Sequence, residues 1–145
     1  MRKYYRCSSI GTLSSPPSFE VDFIESMYSD RFYKYSKMGF DPSMCVKLTN
    51  GYAVLVIEAT DYSEFTLAHE VGHIVSTTLS WKDDEFSADR YALMASSREA
   101  SLNFAKYLER LVDTLTPFVS KGAIVQDDIT LAKQRASIIY AYLNR

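Results

Sequence analysis

The chain has 145 residues and a formal net charge of −2, and this length favours one domain, residues 1–145, with its own hydrophobic core. No stretch reaches the roughly 18 consecutive apolar residues of a membrane span, and the basic residues are scattered. We therefore expect neither a membrane nor nucleic acid as a partner. The first 15 residues lack the apolar run of a secretory signal, which favours a cytoplasmic protein with Cys7 and Cys45 reduced.

The first third of the chain predicts a short strand, an irregular segment and a helix. Residues 4–7 (YYRC) are a candidate strand, and residues 8–18 are rich in Ser, Pro and Gly. Ser18 suits an N-cap, and the apolar residues that follow have helical spacing. This pattern predicts a helix over residues 19–37, which Gly39 ends.

A β-hairpin is predicted next. The segment CVKLT is followed by Asn50-Gly51 and then by YAVLVIE, and the Asn-Gly pair favours a type I′ turn. The second strand, residues 52–58, is apolar at consecutive positions. Both of its faces should therefore be covered by other parts of the protein.

The remainder of the chain is predicted to be helical. Helices are expected over residues 66–79, 83–95 and 98–119, and a last one should run from Asp127 or Asp128 to Leu143. The predicted fold class is α+β, with a small antiparallel sheet packed against several helices.

The segment HEVGH, residues 69–73, is a His-Glu-x-x-His motif. In a helix, positions i and i+4 lie on one face, so His69 and His73 would present two imidazoles side by side, as two ligands of a tetrahedral Zn²⁺ site. Glu70 can reach a water acidified by the metal and accept its proton without being a ligand. Gly72 would allow another backbone or a substrate to approach closely.

Two histidines are too few, because catalytic zinc sites usually have three protein ligands. Glu85, near the start of the next predicted helix, is the predicted third ligand, since a helix N-terminus favours an ionised carboxylate. Asp89 lies on the same helical face at i+4. We expect it to accept a hydrogen bond from a ligand histidine, or alternatively to be the third ligand itself.

The connection between the two helices should be a tight turn at Ser80-Trp81. Thr77-Thr78 weaken the end of the first helix because their side chains are β-branched, and Ser80 or Asp83 can cap the second. We expect Asp83-Asp84 to be an ordinary solvated helix start. A tyrosine could stabilise the oxyanion of a tetrahedral intermediate, and the sequence leaves four candidates open, Tyr62, Tyr91, Tyr140 and Tyr142.

Two segments resemble a known family. FTLAHEVGH (65–73) resembles the FTLAHELGH signature of the ImmA/IrrE family of zinc metallopeptidases, and EFSADRYA (85–92) resembles that family's E-x-x-A-N/D-R-F-A segment. The resemblance covers roughly residues 52–96. It implies a zincin-like fold and a gluzincin-like site in which His69, His73 and Glu85 bind Zn²⁺ and Glu70 is the base. It also implies a protein substrate, such as a helix-turn-helix repressor.

We therefore predict a zinc metallopeptidase that cleaves a specific protein or peptide, bound along an edge of the sheet. The strand at residues 52–58 is the candidate edge. Two alternatives stay open: a zincin-fold binding or regulatory module with structural metal or none, and a zinc hydrolase acting on a non-peptide bond. The sequence predicts neither the cleavage site nor the oligomeric state.

Overall fold

The computed structural model describes residues 1–76, 80–121 and 123–145. The described chain is an α+β structure, as predicted. Its strands are β1 (Arg2–Cys7), β2 (Leu13–Ser14), β3 (Met44–Lys47) and β4 (Ala53–Glu58). Its helices are α1 (Ser18–Lys37), α2 (Ser63–Val75), α3 (Trp81–Ala95), α4 (Arg98–Leu115) and α5 (Ala123–Leu143), with a 3₁₀ segment (Thr116–Lys121) between the last two.

The four strands form one antiparallel sheet in the order β2-β1-β4-β3. The predicted strand at residues 4–7 and both hairpin strands are confirmed, whereas β2 was not predicted. Because β1 and β3 pair with opposite sides of β4, β4 is internal. The prediction that residues 52–58 form a free edge for a substrate is therefore wrong, and β3 is the outer strand on that side.

The hairpin turn differs from the predicted type I′. That turn needs a positive φ at both central residues, but only glycines have a positive φ in the described residues, and in this loop it is Gly51, at 86°. The Leu48 N–H donates to the Tyr52 carbonyl over 2.8 Å, and the Tyr52 N–H donates to Asn50 Oδ1 over 3.1 Å. These bonds close a three-residue loop with its left-handed residue in the last position.

Both faces of β4 are covered, as predicted. Successive side chains of a strand point to opposite faces. Leu55 packs in a cluster with Val71 of α2, whereas Val54 packs in another with Ile24 and Phe32 of α1. The sheet thus lies between α1 and α2, and its apolar central strand positions the helix that carries the HEVGH segment.

The helices after β4 pack around a third apolar cluster, to which Phe65, Phe104, Leu108 and Ile139 contribute. α4 ends at Leu115 rather than at 119, because Pro117 has no N–H to donate and the chain continues as the 3₁₀ segment. α5 begins at Ala123, so Asp127 and Asp128 lie inside it rather than at its start. No helix in the described ranges has the length and apolar character needed to cross a membrane.

Candidate metal centre

His69 and His73 lie side by side on α2, as their spacing predicted. Their Nε2 atoms are 3.0 Å apart and their ring centroids 4.6 Å apart. The His69 imidazole is stacked on Phe65 and is almost fully buried. The two ring nitrogens that could bind a metal therefore converge on one point beside the helix.

Gly72 sets the distance between α2 and α3. A Cβ atom at this position would lie 2.9 Å from the Ala88 Cα and 3.2 Å from the Ala88 carbonyl oxygen. A side chain of any size would therefore push the two helices apart. The close approach that the sequence predicted at Gly72 is made by the backbone of α3, which brings the acidic residues of α3 against the histidines.

Glu85 contacts both imidazoles from α3. Its Oε1 is 2.8 Å from His73 Nε2, and its Oε2 is 3.6 Å from His69 Nε2. Of the two predicted caps, Ser80 is the one that begins α3, since its hydroxyl accepts the Asp83 N–H over 3.1 Å. The predicted effect of Thr77-Thr78 lies outside the described residues, and α2 ends at Val75, before them.

The three groups have the spacing of metal ligands. Zinc bonds of about 2.0–2.2 Å in tetrahedral geometry place neighbouring ligand atoms about 3.3–3.6 Å apart. The observed separation of 3.6 Å lies in this range, and those of 3.0 and 2.8 Å are shorter by a few tenths of an ångström. The donor set of two imidazoles and a carboxylate is also one that zinc prefers.

Glu70 is a second carboxylate at the same place. Ligand atoms of His69, Glu70 and His73 all lie within 4.8 Å of one another, so these residues form a possible metal-binding group. Burial raises the pKa of Glu70, although the charges of the two histidines oppose this shift. The site therefore offers two carboxylates, of which Glu85 makes the closer measured contacts.

Each histidine is held from behind by an aspartate of α3. His69 Nδ1 donates to Asp89 Oδ1 over 2.8 Å, the contact that the sequence predicted for Asp89. His73 Nδ1 pairs in the same way with Asp84 Oδ2 at 2.7 Å. The expectation that Asp84 is merely solvated is therefore wrong, because α3 crosses α2 with its first turn beside His73. With both Nδ1 atoms engaged, the Nε2 atoms are left for a metal.

Arg135 of α5 completes the site and was not predicted. Its Nε and Nη2 donate to the two carboxylate oxygens of Asp89 over 2.8 and 2.9 Å, and its Nη1 lies 3.2 Å from Glu85 Oε2. The sequence held one signal for it. Helical spacing places Arg135 on the same face as Ala132 and Ile139, both buried, and a charge in such a position needs a partner.

Comparisons with known proteins add nothing to this geometry. No protein-family model matches the chain, and no curated protein or solved structure is significantly similar to it. The interpretation of the site therefore depends on the residues themselves.

The charges in the site favour metal binding by Glu85. Burial alone would raise its pKa, but the hydrogen bonds from His69 and His73 and the charge of Arg135 hold that pKa well below its usual range. Burial lowers the pKa of His69, but its bonds to Asp89 and Glu85 outweigh burial and raise the pKa to about 9. Glu85 is thus ionised. His69 is protonated on both ring nitrogens at neutral pH, and a metal would displace the proton on Nε2.

The four tyrosine candidates lie in different environments. Tyr62 is buried against Phe104, the Tyr140 hydroxyl donates to Glu109, and the Arg145 guanidinium lies over the ring of Tyr142. Tyr91 is 38% exposed, and its Cβ lies close to Gly72. These contacts do not select one of the four, and an oxyanion role for any of them stays a prediction.

Proposed function

We propose that this protein is a zinc-dependent metallopeptidase that cleaves a peptide bond in a specific protein, such as a regulator. One observation carries the proposal: His69 Nε2, His73 Nε2 and the Glu85 carboxylate form a triangle with the spacing of zinc ligands. In this assignment Asp89 and Asp84 orient the two histidines. Asp89 is a poor candidate for the third ligand, because both of its oxygens already accept hydrogen bonds.

Glu70 is the proposed general base. It is buried beside the two histidines, and Glu85 lies closer to them as the ligand. Zn²⁺, when bound, supplies a Lewis acid that acidifies water and polarises a carbonyl group. The Glu70 carboxylate would accept the proton of the attacking water and then donate it to the leaving amine. The raised pKa of Glu70 suits this exchange, because a group that must both accept and release a proton works best when its pKa lies near the working pH.

The order of elements supports a zincin-like fold as part of the proposal. The resemblance to ImmA/IrrE peptidases spans residues 52–96, and these residues correspond to β4, α2 and α3. An internal strand, the HEVGH helix and the helix that carries Glu85 are thus consecutive. The proposed ligands His69, His73 and Glu85, called the metal group below, lie at the contact between α2 and α3. Side chains of the sheet pack against the other side of α2.

β3 is the proposed site for substrate backbone. Its Cys45 packs in the same apolar cluster as Val71, which follows Glu70 on α2. A peptide that adds to the outer edge of β3 would therefore pass close to the metal group. This placement replaces β4, both of whose edges are paired.

Zinc content and proteolysis, measured together on variants, test the proposal. The native protein and Glu70→Gln should each hold one zinc ion, but only the native protein should cleave protein substrate. His69→Ala and Glu85→Ala should lose zinc, whereas Glu99→Gln, an exposed carboxylate on α4, should match the native protein.

Two results would contradict the proposal. One is a native protein that holds no zinc after purification in metal-replete medium. The other is a Glu70→Gln variant that keeps full biological effect, which would favour a binding or regulatory module instead.

A further inference from the structure

A groove runs between α1 and the outer strand of the sheet. Phe19, Phe23 and Met27 are 70%, 50% and 59% exposed, and their spacing of four residues places them on one flank of α1. Val46 and Leu48, at the end of β3, form the opposite wall of a cavity of about 620 Å³. We call this feature the α1–β3 groove; the five apolar residues line it together with Tyr28 and the polar residues Glu20, Lys47, Thr49 and Asn50.

The outer edge of β3 borders the groove. In the part of the chain that the structure describes, no strand pairs with this edge, because β3 is the last strand in the sheet order. An edge strand presents unpaired N–H and C=O groups, onto which an extended peptide adds by main-chain hydrogen bonds. A peptide could therefore form main-chain hydrogen bonds with the edge of β3 and place apolar side chains in the groove beside it.

Strand geometry determines which side chains of such a peptide would enter the groove. Met44 and Val46 pack on the α1 face of the sheet, whereas Cys45 packs on the α2 face with Val71, the residue after Glu70. An added strand alternates in the same way. The peptide residue beside Cys45 therefore points towards the metal face, and the residues before and after it point towards α1.

We infer that an extended segment adds to β3 as a further strand and places large apolar side chains, at every second position, in the α1–β3 groove. The identification of that segment as the substrate rests on the proposed function. The groove lies on the face of the sheet opposite the metal group, so the side chains that it selects point away from the metal group. Substrates would therefore be extended segments with alternating large apolar residues.

Peptide selection tests this inference without hydrolysis. A displayed library of random peptides is selected against the zinc-loaded Glu70→Gln protein, and the affinity of an enriched peptide is measured by fluorescence anisotropy. We expect large apolar residues at alternate positions. Phe23→Ser should weaken binding about tenfold or more, since it removes a large apolar contact. Tyr33→Ser, on α1 outside the groove and 70% exposed, is the matched control and should leave the affinity unchanged.

Hydrogen exchange adds a second measurement. The bound peptide should slow exchange of backbone amides in Met44–Lys47 of the Glu70→Gln protein, which cannot cleave it, and an added Phe23→Ser should reduce this protection. The inference is overturned if no peptide is enriched, if the enriched peptides lack the alternation, or if Phe23→Ser binds them as tightly as Tyr33→Ser does. Alternating peptides that bind a protein with no zinc and no proteolysis would support the groove and defeat the proposed function alone.

Discussion

Arg135 holds Asp89 through two hydrogen bonds of 2.8 and 2.9 Å, although the two residues lie on different helices, α5 and α3. The same guanidinium reaches Glu85. Without a metal, Arg135 and the protonated His69 together balance these two carboxylates, of which Asp89 is buried and Glu85 partly buried. A bound zinc ion would take over this role for Glu85.

Arg135→Met should therefore destabilise the metal-free protein by about 3–5 kcal/mol, the usual effect of breaking a buried ion pair. The loss should be smaller with zinc bound, because the metal compensates Glu85. Urea unfolding with and without zinc measures both values, and Arg135→Lys, which keeps the charge but not the paired hydrogen bonds, should fall in between. If Arg135→Met lowered the free energy of unfolding equally with and without zinc, Arg135 would act independently of the metal group.

The stability of the metal-free protein and the extra stability that zinc provides should change with pH in opposite directions. The pKa of His69 rises from 6.5 to about 9 on folding. Its contribution to stability is complete below pH 6.5 and is lost as the pH rises towards 9. Zinc needs the neutral imidazole, so its stabilising effect grows over the same range.

Thermal unfolding between pH 6.5 and 9 checks this prediction, with the free zinc concentration held constant by a chelator. The melting temperature of the metal-free protein should fall with pH, and the increase produced by zinc should become larger. A metal-free protein that gains stability towards pH 9 would contradict the bonds assigned to His69. Binding of zinc at pH 7 should also release protons to the buffer, measurable by calorimetry in buffers of different ionisation enthalpy.

Gly72→Ala should disturb the metal group through the backbone. Alanine is favoured over glycine in a helix by about 1 kcal/mol, but the added Cβ would lie 2.9 Å from the Ala88 Cα. Overpacking of this kind costs about 1–3 kcal/mol, so we expect net destabilisation. Because α3 must move, Glu85 should retreat from the histidines and zinc affinity should fall. A variant with unchanged stability and unchanged zinc affinity would show that this contact does not determine the position of Glu85.

Asp84→Asn should lower zinc affinity by about tenfold, because removal of a carboxylate that orients a ligand histidine has effects of that order. Asp83→Asn is the matched control. Its side chain is exposed one position earlier, and only its backbone N–H takes part in the capping of α3. Competition with a chromophoric chelator measures both affinities. Equal affinities for the two variants would mean that the contact between Asp84 and His73 does not matter for the metal.

The parts of the site that follow from local geometry could be predicted. His69 and His73 belong to one turn of one helix, so their spacing alone places them together. Asp89 follows from Glu85 by the same rule once α3 is known to meet α2. The cover on both faces of β4 was predicted by its unbroken apolar sequence.

The parts that depend on how elements pack could not be predicted. Asp84 was assigned to solvent because its sequence context is that of an ordinary helix start, and only the crossing of α3 over α2 brings it to His73. Arg135 reaches the site from a helix with no motif. The position of β4 within the sheet was missed because pairing with β1 joins distant segments of the chain.

The close packing of Gly72 on Ala88 also bears on which ion the proposed metal site would accept. A Cβ atom on Gly72 would lie 2.9 Å from the Ala88 Cα, so the absence of a side chain there allows α3 to bring Glu85 this close to the histidines. Ions with bonds of about 2.0–2.2 Å fit such a gap, whereas Ca²⁺, with bonds of about 2.3–2.6 Å and a need for six or more oxygens, does not. At the proposed metal site, a glycine that is not itself a ligand would thus favour small ions.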